Sequence, residues 1–348
     1  MQTARDLLSG VPDDARQALR WLASRITTRP SGPGWIARHC ALSHGQAENL
    51  ADRAVSLLDS GGAGPAVGEA ILVCLANFRA EGLGSRLRDT LHREIYWPPN
   101  LYRDAPSDVA EGLCQRIEEA GLAQPRLNHA LAALAWTRGD VATAAFSRWR
   151  DQRPQWAEAF YVPPEAYPTE AGWCLGPDGA RKELFSPDCY LLVPTEAEAT
   201  VHCRVPLASS CPGCSTTLEW LFDFSGLPDG PQNVLHCPVC SAFGRFFSRG
   251  AAVHPATEYS GLERDEAGNQ SSRRPERLPA FAITEPFGLP DASALGGAPG
   301  WIQDAQYPNC PECGQWMGYV AQLDDGDGRY YAFFCNDCRV SAVNYQQT

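Results

Sequence analysis

Lysine is almost missing from this 348-residue chain: Lys182 stands alone against 28 arginines, a bias that a GC-rich coding sequence explains without any function. Basic residues as a whole are outnumbered, 29 against 41 acidic, for a net charge of −12. Nucleic-acid binding rests on Lys and Arg neutralising phosphates, so a chain this acidic is a poor candidate unless it holds a local basic patch. The one dense basic cluster, Arg273, Arg274 and Arg277, lies in SSRRPERLP and reads as an exposed loop. Long apolar runs are lacking too. AILVCLA at 70–76 is as long as any, at seven residues, far short of the roughly 20 that span a bilayer. MQTARDLLSGVPDDARQ, at the N-terminus, has neither an apolar h-region nor a small-residue cleavage site. A secretory signal is therefore not expected, and the expected compartment is the cytoplasm. Thiols stay reduced there, so the 14 cysteines are not read as a disulfide framework.

Catalytic signatures are missing as well. There is no G-x-S-x-G, P-loop, G-x-G-x-x-G or H-E-x-x-H. GGAG at 61–64 joins two helical stretches and no lysine follows it. Glu118 and Glu119 fall on a helix face, and Asp324 and Asp325 in a turn, where solvation accounts for them. The chain is read as a non-enzyme.

What is present falls into two halves. The length suits two or three domains, and 44% hydrophobic with 20% charged residues is a globular composition. Up to about residue 155 the apolar residues keep helical spacing, as in Ala15, Ala18, Leu19, Leu22 and Ile26. The stripe recurs in Ala47, Leu50, Ala51, Ala54 and Leu58, then in Val67, Ala70, Ile71, Cys74 and Phe78, and again in Leu127, Ala130, Leu131 and Leu134. Gly139 suits the left-handed residue that ends one helix, and Asp140 the N-cap of the next. Helices joined this tightly bury their stripes against one another, which predicts an all-α bundle or short solenoid over 1–155. Residues 153–180, with several prolines, read as a linker or docking segment. The remainder, 156–348, is expected to be β-rich, an α+β chain overall. LEWLFDF at 218–224 places Leu218, Trp220, Phe222 and Phe224 on one face of a strand, MGYVAQL at 317–323 behaves alike, and RYYAFF at 329–334 follows the turn DDGDG. Residues 250–300 show no clear element.

Eight cysteines form four C-x-x-C pairs. Cys211/Cys214 is followed after 22 residues by Cys237/Cys240, and Cys310/Cys313 after 21 by Cys335/Cys338. Each pair offers two sulfurs on one knuckle, and a hairpin of this length brings a second knuckle beside the first. Four sulfurs at about 2.3 Å then enclose Zn²⁺. A shift of 99 residues superposes Cys211 on Cys310, Cys214 on Cys313, Leu218 on Met317, Trp220 on Tyr319, Leu221 on Val320 and Phe224 on Leu323. With one residue deleted, Cys237 and Cys240 fall on Cys335 and Cys338. Two copies of one zinc-ribbon unit are therefore expected, about 205–248 and 305–342, holding two structural zinc ions. A thioredoxin-like centre needs one C-x-x-C at a helix start, and these pairs abut strand-like sequence. A closed Cys₄ site has no open position for a substrate. Of the other cysteines (Cys40, Cys74, Cys114, Cys174, Cys189 and Cys203), Cys74 reads as core filler. Cys189 and Cys203, with His202 and His236 beside cysteines, are not expected to join a metal site.

ASALGGAPGWIQDAQYPNCPECGQWMGYVAQLD at 292–324 carries Leu295, Gly296, Gly297, Pro299 and Trp301, then Cys310, Cys313, Met317, Gln322 and Leu323. This pattern resembles the YwqG-like family of bacterial proteins and, more distantly, the C-terminal part of the programmed cell death protein 2 family, over roughly the last sixty residues. The resemblance implies a mixed β domain without established catalysis. It also implies binding of a protein partner, since eukaryotic relatives hold a ribosomal protein and some bacterial relatives sit in toxin–immunity neighbourhoods. From the residues themselves, Gly296 and Gly297 supply a turn with positive φ, and Pro299 directs Trp301 onto the sheet. Acidic charge and a helical array suit capture of a basic protein. The expected function is immunity against a cognate toxin. Chaperoning of a basic ribosomal protein is the first alternative and a hydrolase or transferase with a site between the two halves the second; neither nucleic acid nor membrane is expected as a partner.

Overall fold

The computed structural model describes residues 44–60, 62, 64–78, 83–84, 86–119, 122–186, 188–195, 199–227, 232–258, 280–286 and 293–347. The stripe from Ala15 to Ile26, Cys40, the side chain of Cys74 and the cluster Arg273, Arg274 and Arg277 lie outside what is described. The chain divides into two compact units, residues 1–182 and 183–348.

The first unit is helical. Its elements are α1 (His44–Leu58), α2 (Gly64–Phe78), α3 (Leu87–His92), α4 (Ser107–Glu118), α5 (Gln124–Thr137) and α6 (Asp140–Asp151). The expected stripes face inward: Ala47, Leu50, Ala51 and Ala54 of α1 are buried, as are Leu127, Ala130, Leu131 and Leu134 of α5. The α5–α6 junction differs by one residue from expectation. Arg138, not Gly139, takes the left-handed conformation at φ 56°, and Gly139 is the extended N-cap of α6. Left-handed strain of about 1–2 kcal/mol is offset because the Arg138 guanidinium is buried and donates to the Ala171 carbonyl at 3.3 Å.

Residues 153–180 prove to be part of this unit. They form 3₁₀ turns at Gln155–Ala159 and Pro164–Ala171, then strand β1 (Trp173–Leu175); β2 (Arg181–Glu183) follows and pairs with β1. Trp173 is fully buried, donates its indole N–H to the Ala135 carbonyl at 2.8 Å and packs edge-on to Phe146. Proline broke the helical pattern without ending the core, because aromatic side chains continued it.

The second unit holds two sheets. An eight-stranded sheet has the order β8-β7-β13-β12-β11-β10-β3-β9, and a three-stranded sheet the order β4-β5-β6. The strands are β3 (Cys189–Pro194), β4 (His202–Ser210), β5 (Thr217–Asp223), β6 (Val234–His236), β7 (Phe246–Arg249), β8 (Ala252–Val253), β9 (Phe281–Pro286), β10 (Ala294–Gly296), β11 (Gly318–Asp324), β12 (Gly328–Cys335) and β13 (Val340–Gln347). Strands β8, β9 and β10 fall in the stretch that showed no clear element. Strand β10 is only Ala-Leu-Gly, and its partners β3 and β11 are distant in sequence, so nothing local announces it.

The face of strand β5 also differs from simple alternation. Its register slips between Trp220 and Phe222, so Leu221 and Phe222 are both fully buried. Strand β11 slips at the equivalent place, between Tyr319 and Ala321. A β-bulge places two residues opposite one and breaks the period of two. It recurs 99 residues on, at the position that the sequence correspondence pairs with it.

The segment after β10 is strapped to the sheet. Gly296 and Gly297 have φ of 66° and 69°, and a Cβ on Gly297 would lie 2.6 Å from the Cys189 sulfur. Trp301 then packs on Tyr331 at 4.5 Å, Tyr307 at 5.3 Å and Phe333 at 6.1 Å. Buried amides take up the strap's backbone. Gln346 Oε1 accepts the N–H groups of Ile302 and Gln303, each at 3.0 Å, and Asn344 donates to the Gln306 carbonyl at 2.6 Å.

Candidate metal centres

Each C-x-x-C forms a knuckle closed by its own backbone. The residue after the second cysteine donates its N–H to the carbonyl of the first: Ser215 to Cys211 at 2.8 Å, Ser241 to Cys237 at 3.0 Å, Gly314 to Cys310 at 2.8 Å and Arg339 to Cys335 at 2.8 Å. Three of these closing residues, Ser215, Gly314 and Arg339, have positive φ, at 63°, 70° and 58°. The tight turn aims both sulfurs of a pair to one side. Strands β5 and β6, and β11 and β12, then carry the paired knuckles to the same end of their hairpins.

All eight expected ligands are brought together, in the two expected sets. Within Cys211, Cys214, Cys237 and Cys240, and within Cys310, Cys313, Cys335 and Cys338, the sulfurs lie within 4.8 Å of one another. In the first set Cys211 and Cys240 are 3.8 Å apart, Cys214 and Cys237 3.4 Å, and Cys214 and Cys240 3.7 Å. In the second, Cys313 and Cys335 are 3.8 Å apart. A tetrahedron of sulfurs about 2.3 Å from a Zn²⁺ has an edge of about 3.8 Å. A disulfide would need about 2.05 Å, and none of the eight forms one. The spacing therefore fits a tetrahedral dication such as Zn²⁺, which would draw four thiolates together and supply folding energy.

Hydrogen bonds from the Cys237 and Cys240 thiols pull Cys211 far below the ordinary thiol range, whereas Cys237 is driven far above it. The N–H of Gln315 pulls Cys313 down in the second set. A bound cation would replace these shared protons.

The first quartet sits within a hydrophobic core. Leu218, Leu221, Phe222 and Phe246 surround it, and Cys237 and Cys240 are fully buried. His236, next to Cys237 in sequence, belongs to a charged group. Arg204 donates to Glu219 at 3.1 Å, and His236 Nε2 stands 3.8 Å from the same carboxylate oxygen. Burial works against ionisation of Glu219, but His236 and Arg204 outweigh it and hold the carboxyl below its usual range. Burial lowers the pKa of His236, against the opposing pull of Glu219. His236 is thus a core residue, whereas His202 is exposed. Cys189 and Cys203 are buried and belong to no further quartet among the described residues. Asp325 departs from the solvated turn residue expected: burial raises its pKa, and its carboxylate accepts the Gly328 N–H at 2.9 Å.

Sequence reasoning missed one structural relation. Strands β7 and β13, each following the second knuckle of its ribbon, pair antiparallel with Ala342 opposite Phe247, and the hydroxyls of Ser248 and Ser341 meet at 2.7 Å. The two ribbons are thereby joined through one strand pair. Among the described residues, no helix is long and apolar enough to cross a membrane.

Fold and site together define a class of two-unit protein, with a helical array in one unit and a β-rich unit stapled by two four-cysteine centres. The chain belongs to the family of a Salmonella typhimurium protein named "Uncharacterized protein YpfL". The two are 31% identical over 343 residues, spanning 88% of this chain and 78% of the Salmonella protein. That span exceeds either unit alone, so the kinship includes helical as well as β-rich sequence. No family model matches the chain, and no solved structure matches it.

Proposed function

We propose that this chain is a non-enzymatic binding protein whose β-rich unit, built around two structural zinc ions, captures a basic protein partner. The carrying observation is where the charge lies. The β-rich unit has 20 acidic and 9 basic residues, a net of −11, whereas the helical unit has 21 and 20, a net of −1. Each filled quartet adds a formal −2, since four thiolates surround one dication. Complementary charge of this size speeds encounter and disfavours acidic competitors. Four sulfurs per ion leave no coordination position for a substrate, which supports an architectural role over a catalytic one.

The partner we propose is a toxin that the chain neutralises by binding, a reading supported by the resemblance of residues 292–324 to the YwqG-like family. The test is affinity purification of the full chain from its host, followed by mass spectrometry. One basic protein is expected, retained less as salt rises, whose toxicity on expression is relieved by this chain. Recovery of a ribosomal protein would favour the chaperone reading. Recovery of small metabolites alone would defeat both.

A further inference from the structure

The two quartets differ in exposure. In the first, Cys211, Cys237 and Cys240 are 2%, 0% and 0% exposed and Cys214 is half-buried. In the second, Cys313 is exposed and Cys338 half-buried, while Cys310 and Cys335 lie beneath them at 1% and 7%. Oxidants reach thiolates through solvent, so the second quartet, with one sulfur exposed and one half-buried, is more open to them than the first, where Cys214 alone is half-buried.

We propose that the second quartet is a peroxide-responsive metal site: Cys313 is oxidised first and joins Cys338 in a disulfide, and that quartet gives up its ion while the first keeps its own. The proposal rests on the reading of both quartets as metal-bound. The Cys313 thiolate attacks one oxygen of hydrogen peroxide; an S–O bond forms, the O–O bond breaks and hydroxide leaves. The Cys338 thiolate attacks the resulting sulfenic sulfur; an S–S bond forms, the S–O bond breaks and a second hydroxide leaves. Two electrons pass from the sulfurs to the peroxide. All four sulfurs already lie within 4.8 Å of one another, so a small rotation brings two of them to the roughly 2.05 Å of a disulfide. With two of four thiolates consumed, the quartet no longer holds a dication.

The knuckle carries a structural consequence. Glu312, between Cys310 and Cys313, lies 2.8 Å from His254 Nε2 and 3.1 Å from Arg249 Nη2. These contacts tie the knuckle to the hairpin of β7 and β8. Loss of the ion frees the knuckle and loosens that hairpin.

The experiment treats the full, reduced chain with hydrogen peroxide and follows it by native mass spectrometry and peptide mapping. Two bound ions are expected at the start. One should leave about tenfold faster than the other, together with a Cys313–Cys338 cross-link. Hydrogen exchange over 246–258 should rise at the same time. Cys114→Ser, outside both quartets, should respond as the parent does. Prior loss from the first quartet, simultaneous loss of both ions, or retention of both under excess peroxide overturns the proposal. Fewer than two ions in the untreated chain removes instead the metal occupancy on which it stands.

Discussion

The carboxamide oxygen of Gln322 accepts the backbone N–H of Gly300 at 2.8 Å, joining a fully buried strand residue to the strap that carries Trp301. The Tyr319 hydroxyl donates to the same oxygen at 3.2 Å. Replacing Gln322 with Leu leaves the Gly300 N–H and the Tyr319 hydroxyl without their acceptor. We expect a loss of about 1–3 kcal/mol, seen as a lower urea midpoint. An unchanged midpoint would show that the strap is held by its aromatic contacts alone.

Two glycines test whether space or backbone angle governs. Gly297 has φ 69° and the Cys189 sulfur would crowd a Cβ, so Gly297→Ala should destabilise the β-rich unit severely. Gly314 has φ 70° but nothing within 4 Å of where a Cβ would stand, and Ser215 occupies the equivalent place in the first ribbon. Gly314→Ala should therefore lose only the left-handed preference, about 1 kcal/mol. Thermal melts of both variants check the order.

Removing one ligand should remove one ion. Cys310→Ser is expected to release the ion of the second quartet and loosen the β11–β12 hairpin, with the first ion retained. Cys240→Ser strikes a site inside the core cluster and should lower stability further. Elemental analysis and far-ultraviolet circular dichroism distinguish the two. Full metal content with an unchanged melt in Cys310→Ser would refute the ligand assignment.

Burial, helped by the Glu118 charge, pushes the Cys114 thiol up to about 12. A raised thiol pKa means less thiolate at any given pH. Alkylation of Cys114 by iodoacetamide should be slow at pH 8, accelerate as pH climbs toward 12, and become fast at pH 8 once denaturant unfolds the chain. Rapid labelling of folded protein at pH 8 would contradict this.

Much of the centre was legible before any fold was known. Cysteine spacing depends on knuckle geometry, which is local, so the eight ligands and their division into two sets followed from C-x-x-C and hairpin length. The 99-residue correspondence was legible for the same reason. Helical stripes in α1 and α5 were readable because burial in a helix repeats every three or four residues.

Other features needed the tertiary structure. Strand β10 exists because β3 and β11 offer partners from distant sequence. Arg138 adopts the left-handed turn because a carbonyl 33 residues away receives its guanidinium. The aromatic residues of 153–180 join the helical unit through Trp173 and Phe146, which no local pattern relates. The sequence by itself determined which sulfurs gather, since adjacent residues close each knuckle. Only the tertiary structure decided that one quartet lies in the core and the other at the surface, because exposure is set by what packs around a knuckle and not by the knuckle.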